Sequence, residues 1–170
     1  MSNLTISIQE RIFKTITRYL RSSRDDDERA AFGFVRSDIL VAENYYSLVD
    51  WMKMDGDMLD NTSPYHITLT DLARQTVIKT AHDYNAALIE FHSHTGAHPA
   101  QFSYSDLAGF SEWVPHVMWR LPNRPYIAVV ITNQDYDSLF WAKRNSTPCD
   151  QIEIDLGTTI IKPTQLTLAE

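Results

Sequence analysis

The sequence predicts an α/β fold, because amphipathic helical segments alternate with short apolar segments that are typical of buried strands. Residues 69–84 carry apolar side chains at helical spacing, and the apolar residues 86–91 follow soon after them. A further helix is predicted after Ser103, and the apolar run at residues 126–132 predicts a central strand. The order of helix, buried strand and helix is typical of an α/β sandwich, in which helices cover a sheet.

The remaining segments predict further strands, a helix and loops along the chain. In chain order we predict a helix at 8–20, a solvated charged loop without a metal at 21–28, a strand at 29–35, a turn at 36–38, a returning strand at 39–49 and a loop at 50–64. Pro115 is expected to end or kink the helix after Ser103, since proline lacks the backbone N–H and clashes with the preceding turn. Nearer the C-terminus, residues 137–144 should pair with the central strand, and residues 159–162 with a strand at 151–156.

Length and composition limit the class of protein. The 170 residues are enough for a hydrophobic core, and we expect residues 1–170 to form a single domain. The formal charge of −7 argues against nucleic acid as a partner, since a nucleic-acid groove needs a basic stripe. A single cysteine, Cys149, cannot form an internal disulfide, which is consistent with a reducing compartment. Residues 1–10 do not resemble a signal peptide and no apolar run approaches a membrane span, so we expect a cytoplasmic protein without a membrane partner.

Two histidines at the end of a predicted strand suggest a metal site. Strand side chains alternate between faces, so His92 and His94 point the same way, and two adjacent imidazoles make half of a zinc site. Ser103 can cap the next helix, and the side chain of Asp106 in the first turn leans back toward that helix start. The connecting loop could therefore bring Asp106 to the histidines as a third ligand. Three protein ligands plus one water are typical of a catalytic zinc site.

Each half of this pattern also has a simpler interpretation. A His-x-His sequence often arises by chance, and Ser-x-x-Asp at a helix start is usually a capping box alone. Both halves together, after a strand and at the start of a helix, favour metal binding. No His-Glu-x-x-His is present, and no His-x-Glu with Pro-Cys-x-x-Cys, which excludes the zincins and the zinc nucleobase deaminases. A Cys–His nucleophile would depend on Cys149 alone.

His92-x-His94, eight intervening residues and Ser103-x-x-Asp106 resemble the signature of the JAMM (MPN-plus, JAB) zinc metallopeptidases. Two positions depart from that signature. Thr95 stands where the family usually has proline, and the spacing from histidine to serine is one residue longer than in the commonest form.

The likeness reaches beyond the signature and covers about residues 28–142. Upstream, Glu28-Arg29-Ala30-Ala31-Phe32 resembles the first strand of proteins in that family, where a catalytic glutamate precedes a small residue and apolar positions. Downstream, residues 105–110, 113–116 and 124–126 resemble bacterial JAB proteins from ubiquitin-like conjugation operons of the Bil antiphage type.

The resemblance implies an MPN (JAB, cytidine-deaminase-like) three-layer fold with a mixed central sheet flanked by helices. It also implies one zinc ion per chain, held by His92, His94 and Asp106, and a zinc-dependent isopeptidase of deubiquitinase-like activity. Such an enzyme cuts amide bonds at the C-terminus of a ubiquitin-like modifier, in deconjugation or precursor processing, here in bacterial antiphage defence. The expected partners are the ubiquitin-like protein, its conjugates, and E1-like and E2-like proteins of the same operon.

The roles of the site residues follow from this expectation. Zinc would lower the pKa of its bound water to about 7, Glu28 would act as general base, and Ser103 would hydrogen-bond the developing oxyanion. Glu90 is a rival base, but it shares a strand with His92, whereas Glu28 comes from another strand and can face the water across a cleft. His98 in the connecting loop is a candidate fourth ligand. Two other functions stay open: a non-catalytic MPN scaffold, and a peptidase that trims a small sulfur-carrier protein.

Overall fold

The computed structural model describes residues 4–22, 27–63 and 66–169, with side chains except at 61–63 and 66. Its strands are β1 (Leu4–Ser7), β2 (Ala30–Ser37), β3 (Tyr45–Met54), β4 (Leu59–Ser63), β5 (His66–Leu69), β6 (Ala87–Ser93), β7 (Tyr126–Ile131), β8 (Tyr136–Trp141), β9 (Ile152–Asp155) and β10 (Ile160–Ile161). Its helices are α1 (Glu10–Arg21), α2 (Asp71–Asp83) and α3 (Tyr104–Arg120). Within these residues no helix is both long and apolar enough to span a bilayer.

The main sheet is mixed and has the strand order β10-β9-β1-β3-β2-β6-β7-β8, whereas β4 and β5 form a separate antiparallel pair. The centre of the sheet combines antiparallel pairing of β2 with β3 and β6 and parallel pairing of β6 with β7. The register places Ala30 at the start of β2 opposite His92 near the end of β6. The end of the sheet that carries the histidines is therefore also where the residues just before β2 lie.

Alternating side chains divide the core into two layers. One face of β2, β6 and β7 packs against α2 and α3, and the buried residues at this interface include Phe32, Leu88, Val77 and Phe110. The other face packs against α1, with Phe91 and Ile89 among the buried residues. The observed architecture is thus a mixed α/β sheet between helices, as the sequence predicts.

Helices and strands of strong periodicity were predicted well. α1, α2, β7 and β8 match the predicted segments to within a few residues, and β10 pairs with β9 as expected; the structure shows that this pairing is antiparallel. Half of the charged loop predicted at 21–28, residues 23–26, lies outside the described residues. The strands β1 and β5 were not predicted from the sequence.

Several predicted boundaries were wrong. Residues 36–37 belong to β2 and residues 39–44 form the turn between β2 and β3, whereas residues 50–54 and 59–63 of the predicted loop belong to β3 and β4. Residues 50–54 pair with β2, and this pairing holds a segment whose own pattern is weak. Of the two outcomes predicted for Pro115, an end of the helix is wrong, because α3 continues to Arg120. Proline there removes one hydrogen bond, and the buried neighbours Val114 and Val117 keep the following turn packed on the sheet.

Candidate metal centre

Strand β6 and the start of α3 bring three metal-ligating side chains together. His92, His94 and Asp106 each offer one ligand atom, and these atoms all lie within 4.8 Å of one another. The backbone N–H of His94 donates to the carbonyl of Ile131 at 3.0 Å, which keeps the second histidine aligned with the sheet just beyond the end of β6. The predicted same-face arrangement of His92 and His94 and the predicted approach of Asp106 are therefore what the structure has.

The separations between ligand atoms fit a tetrahedral metal. The Nε2 atoms of His92 and His94 are 3.3 Å apart. Asp106 places Oδ1 3.5 Å from His92 Nε2 and Oδ2 3.1 Å from His94 Nε2. Zinc bonds of about 2.0–2.1 Å at tetrahedral angles separate neighbouring ligand atoms by about 3.3 Å. Two imidazoles and one carboxylate can thus hold a metal ion and leave one coordination position open.

Asp106 and Ser103 form the predicted capping box at the start of α3. Asp106 Oδ2 accepts hydrogen bonds from the backbone N–H of Ser103 at 2.7 Å and from Ser103 Oγ at 2.8 Å, and the backbone N–H of Asp106 donates to Ser103 Oγ at 3.1 Å. Burial opposes ionisation of Asp106, but hydrogen bonds with His92, His94 and Ser103 outweigh it and hold the pKa of this carboxyl well below its usual range. The helix cap therefore also fixes the ionised ligand.

Glu28 lies beside the ligands because the chain before β2 pairs with the residue between the two histidines. The backbone N–H of Arg29 donates to Ser93 Oγ at 3.0 Å, and the backbone N–H of Ser93 donates to the Arg29 carbonyl at 2.9 Å. Glu28 Oε1 lies 3.7 Å from His94 Nε2, beyond hydrogen-bond distance. Burial raises the pKa of Glu28, although the histidines favour its charged form. A buried carboxylate of raised pKa next to a candidate metal site suits proton transfer.

Glu90 lies behind His92 and belongs to a buried polar chain that sequence reasoning did not find. Glu90 Oε1 is 3.6 Å from His92 Nδ1. The hydroxyl of Tyr126 donates to Glu90 Oε2, and Trp113 Nε1 donates to the Tyr126 hydroxyl at 2.8 Å. Burial and the Glu90 carboxylate raise the pKa of Tyr126 well above 10, so its hydroxyl stays protonated. Residue types gave no signal for this chain, because its members are far apart in sequence.

Thr167, near the C-terminus, stabilises the loop that leads to Ser103 through hydrogen bonds. The carboxylate of fully buried Asp137 accepts hydrogen bonds from the backbone N–H and the hydroxyl of Thr167. Thr167 Oγ1 in turn accepts from the backbone N–H of Phe102 at 3.0 Å. The Phe102 ring packs edge-on against His92, with 5.5 Å between ring centroids. Residues near the C-terminus thereby support one candidate metal ligand.

A cleft of about 1030 Å³ opens beside the cluster. Glu28, His92 and Asp106 line one part of it, and α2, α3 and β5 supply much of the remaining wall. The candidate fourth ligand, His98, is exposed and lies outside the group of ligand atoms found in the described part of the chain. No protein-family model matches the chain, and no match was found among the curated proteins.

Proposed function

We propose that this protein is a zinc metallopeptidase of the JAMM (JAB) type, with an MPN fold. The observation that carries the proposal is the ligand geometry: the Nε2 atoms of His92 and His94 lie 3.3 Å apart, each has one of the two Asp106 carboxylate oxygens at 3.1–3.5 Å, and the buried carboxylate of Glu28 lies 3.7 Å from His94 Nε2. The donor set of two histidines and one aspartate suits zinc, and the open coordination position suits catalysis rather than structure. The resemblance of the sequence motif to this family agrees with that chemistry.

A zinc ion held by His92, His94 and Asp106 would supply Lewis acidity and a water of lowered pKa. Glu28 would take a proton from the attacking water and give it to the leaving amine, so that one amide bond is exchanged for a carboxylate and an amine. The burial that raises the pKa of Glu28 brings it closer to the working pH of a general base. Ser103 would hydrogen-bond the oxyanion, for which its hydroxyl must turn away from Asp106, since a hydroxyl has one hydrogen to donate.

For the substrate we propose the C-terminus of a ubiquitin-like modifier, joined to a lysine or to a C-terminal extension. This step depends on the resemblance to JAB proteins of bacterial antiphage conjugation operons, which also suggests E1-like and E2-like partners and a cytoplasmic setting. The cleft beside the cluster is large enough for an extended chain to reach the ligands. Contacts with a folded modifier would then position the scissile bond.

The direct test combines elemental analysis with a cleavage assay. Purified protein should contain one zinc per chain, and it should release a reporter fused to the C-terminus of a ubiquitin-like protein encoded by a neighbouring gene. A short unstructured peptide with the same terminal residues should be cut far more slowly, because it lacks the remote contacts. Absence of zinc from carefully prepared protein would overturn the metal site. Zinc without hydrolysis would favour a scaffold, and efficient cleavage of the bare peptide would favour a general peptidase.

A further inference from the structure

The hydrogen-bond chain behind His92 has a fixed direction. An indole N–H can only donate, so Trp113 must donate to the Tyr126 hydroxyl, as it does at 2.8 Å. The Tyr126 hydroxyl has one hydrogen of its own, and it donates this hydrogen to Glu90 Oε2. Both donors therefore point toward the Glu90 carboxylate, which can only accept. The remaining oxygen, Oε1, faces His92 Nδ1.

His92 Nδ1 is buried and has no hydrogen-bond partner within 3.5 Å in the described part of the chain. Its nearest carboxylate oxygen is Glu90 Oε1 at 3.6 Å, so a shift of about 0.6 Å would bring the pair into hydrogen-bond range. The other ring nitrogen, Nε2, faces His94 and Asp106. When Nε2 binds a metal, Nδ1 carries the proton and needs an acceptor.

We infer that Glu90 is a positioning residue that accepts the Nδ1 proton of His92, with Tyr126 and Trp113 holding its carboxylate in place for that purpose. This inference rests on the proposed zinc site and assigns Glu90 a role in metal binding rather than in proton transfer to substrate. Outer partners of this kind orient the ring and strengthen the ligand, and their loss typically weakens metal affinity by about 10- to 100-fold.

The substitution Glu90→Gln tests this role sharply, because a neutral amide cannot accept on both sides. If the amide oxygen accepts from Tyr126, its NH2 group faces the Nδ1 proton of His92, donor against donor. If the oxygen turns to His92, the fully buried hydroxyl hydrogen of Tyr126 loses its acceptor. Either arrangement breaks one link of the chain while side-chain size is kept.

The experiment measures zinc affinity by competition with a chromogenic chelator and follows the ring protons of His92 by NMR on zinc-loaded protein with ¹⁵N-labelled histidine. Glu90→Gln should bind zinc about 10- to 100-fold more weakly. Its His92 Nδ1 proton should also lose the downfield, slowly exchanging signal of a proton shared with a carboxylate. Tyr126→Phe keeps the carboxylate but removes its support, and should give a smaller change in the same direction.

Glu112→Gln is the matched control. Glu112 is an exposed carboxylate on α3 that lines the same cleft, and the same chemical change there should leave zinc affinity within about twofold, far below the expected loss of outer-partner support. Unchanged affinity and an unchanged Nδ1 signal in both Glu90→Gln and Tyr126→Phe would overturn the inference. Failure of wild type itself to bind zinc would instead reject the proposed function, so the two failures are distinct.

Discussion

Replacing Glu28 by glutamine is the substitution that separates catalysis from metal binding. Glu28 is 8% exposed, and its Oε1 lies 3.7 Å from His94 Nε2, outside the group of ligand atoms. The amide keeps the size of the side chain but cannot take a proton. We therefore expect Glu28→Gln to keep zinc and substrate binding and to lose nearly all hydrolysis.

The expected loss of turnover in Glu28→Gln follows from the role of Glu28 as general base. General acid–base catalysis by a positioned side chain contributes about 10²–10⁴-fold. At about 1.4 kcal/mol for each factor of ten, this corresponds to roughly 3–5 kcal/mol of activation free energy. Folding should not suffer, because burial raises the pKa of Glu28, which means that its charge is unfavourable in the folded state. The free energy of unfolding at neutral pH should stay the same or rise.

The assay compares turnover per bound zinc, with zinc content and thermal unfolding recorded for each variant. Glu43→Gln changes an exposed carboxylate in the turn between β2 and β3, away from the cleft, and as the control it should keep wild-type turnover. Glu90→Gln should keep most turnover per bound zinc once zinc is supplied in excess. Full activity of zinc-loaded Glu28→Gln together with a dead, zinc-loaded Glu90→Gln would reverse the assignment of the base.

Four further predictions concern the helix cap, the metal, the pH dependence of zinc affinity and two glycines. Ser103→Ala should cut turnover by at least about a hundredfold, because the oxyanion donor is lost. The same change should lower the free energy of unfolding by only about 1 kcal/mol, because a helix cap is lost. Turnover per bound zinc equal to that of wild type would leave Ser103 as a cap alone. Asp106→Ala should lower zinc occupancy sharply. Chelation should lower the melting temperature of wild type by about 5–11 °C, since free zinc at 100 times its Kd stabilises the folded protein by about 2.7 kcal/mol. Burial opposes protonation of His92, but the Asp106 and Glu90 carboxylates raise its pKa to about 10 without metal. Zinc must therefore displace a proton, so zinc affinity should fall about tenfold for each unit by which the pH is lowered through neutrality. A zinc affinity that does not change with pH would contradict this. Gly33→Ala should destabilise by about 1–3 kcal/mol, because a Cβ there would lie 2.7 Å from side-chain atoms of both neighbouring strands, whereas Gly109→Ala, which meets open space within a helix, should stabilise by about 0.5–1 kcal/mol in denaturant unfolding.

The sequence by itself determined the features whose physical cause is local. Alternation along a strand places His92 and His94 on one side, and the three-residue spacing of Ser103 and Asp106 defines a capping box at the start of α3. The face of α2 follows from its helical period in the same way. Each of these depends on residues within about one turn or one strand repeat of one another, so spacing alone was enough.

Tertiary structure decided what depends on strand register and packing. Glu28 meets His94 because Arg29 pairs with Ser93, and nothing in the spacing of those residues encodes that pairing. The chain from Trp113 through Tyr126 to Glu90 joins a helix and two strands, and it places the Glu90 carboxylate 3.6 Å from His92 Nδ1.

The same reason accounts for the elements that were wrongly predicted. Residues 50–54 of β3 are held by pairing with β2 rather than by their own pattern, and α3 continues past Pro115 because buried side chains on either side pack on the sheet. Local propensity contributes a few tenths to about one kcal/mol per residue for most residues, and pairing and burial outweigh it where they act together. Neighbours along the chain thus defined the pair of histidines and the helix cap, whereas contacts between distant segments defined how these meet and which groups surround them.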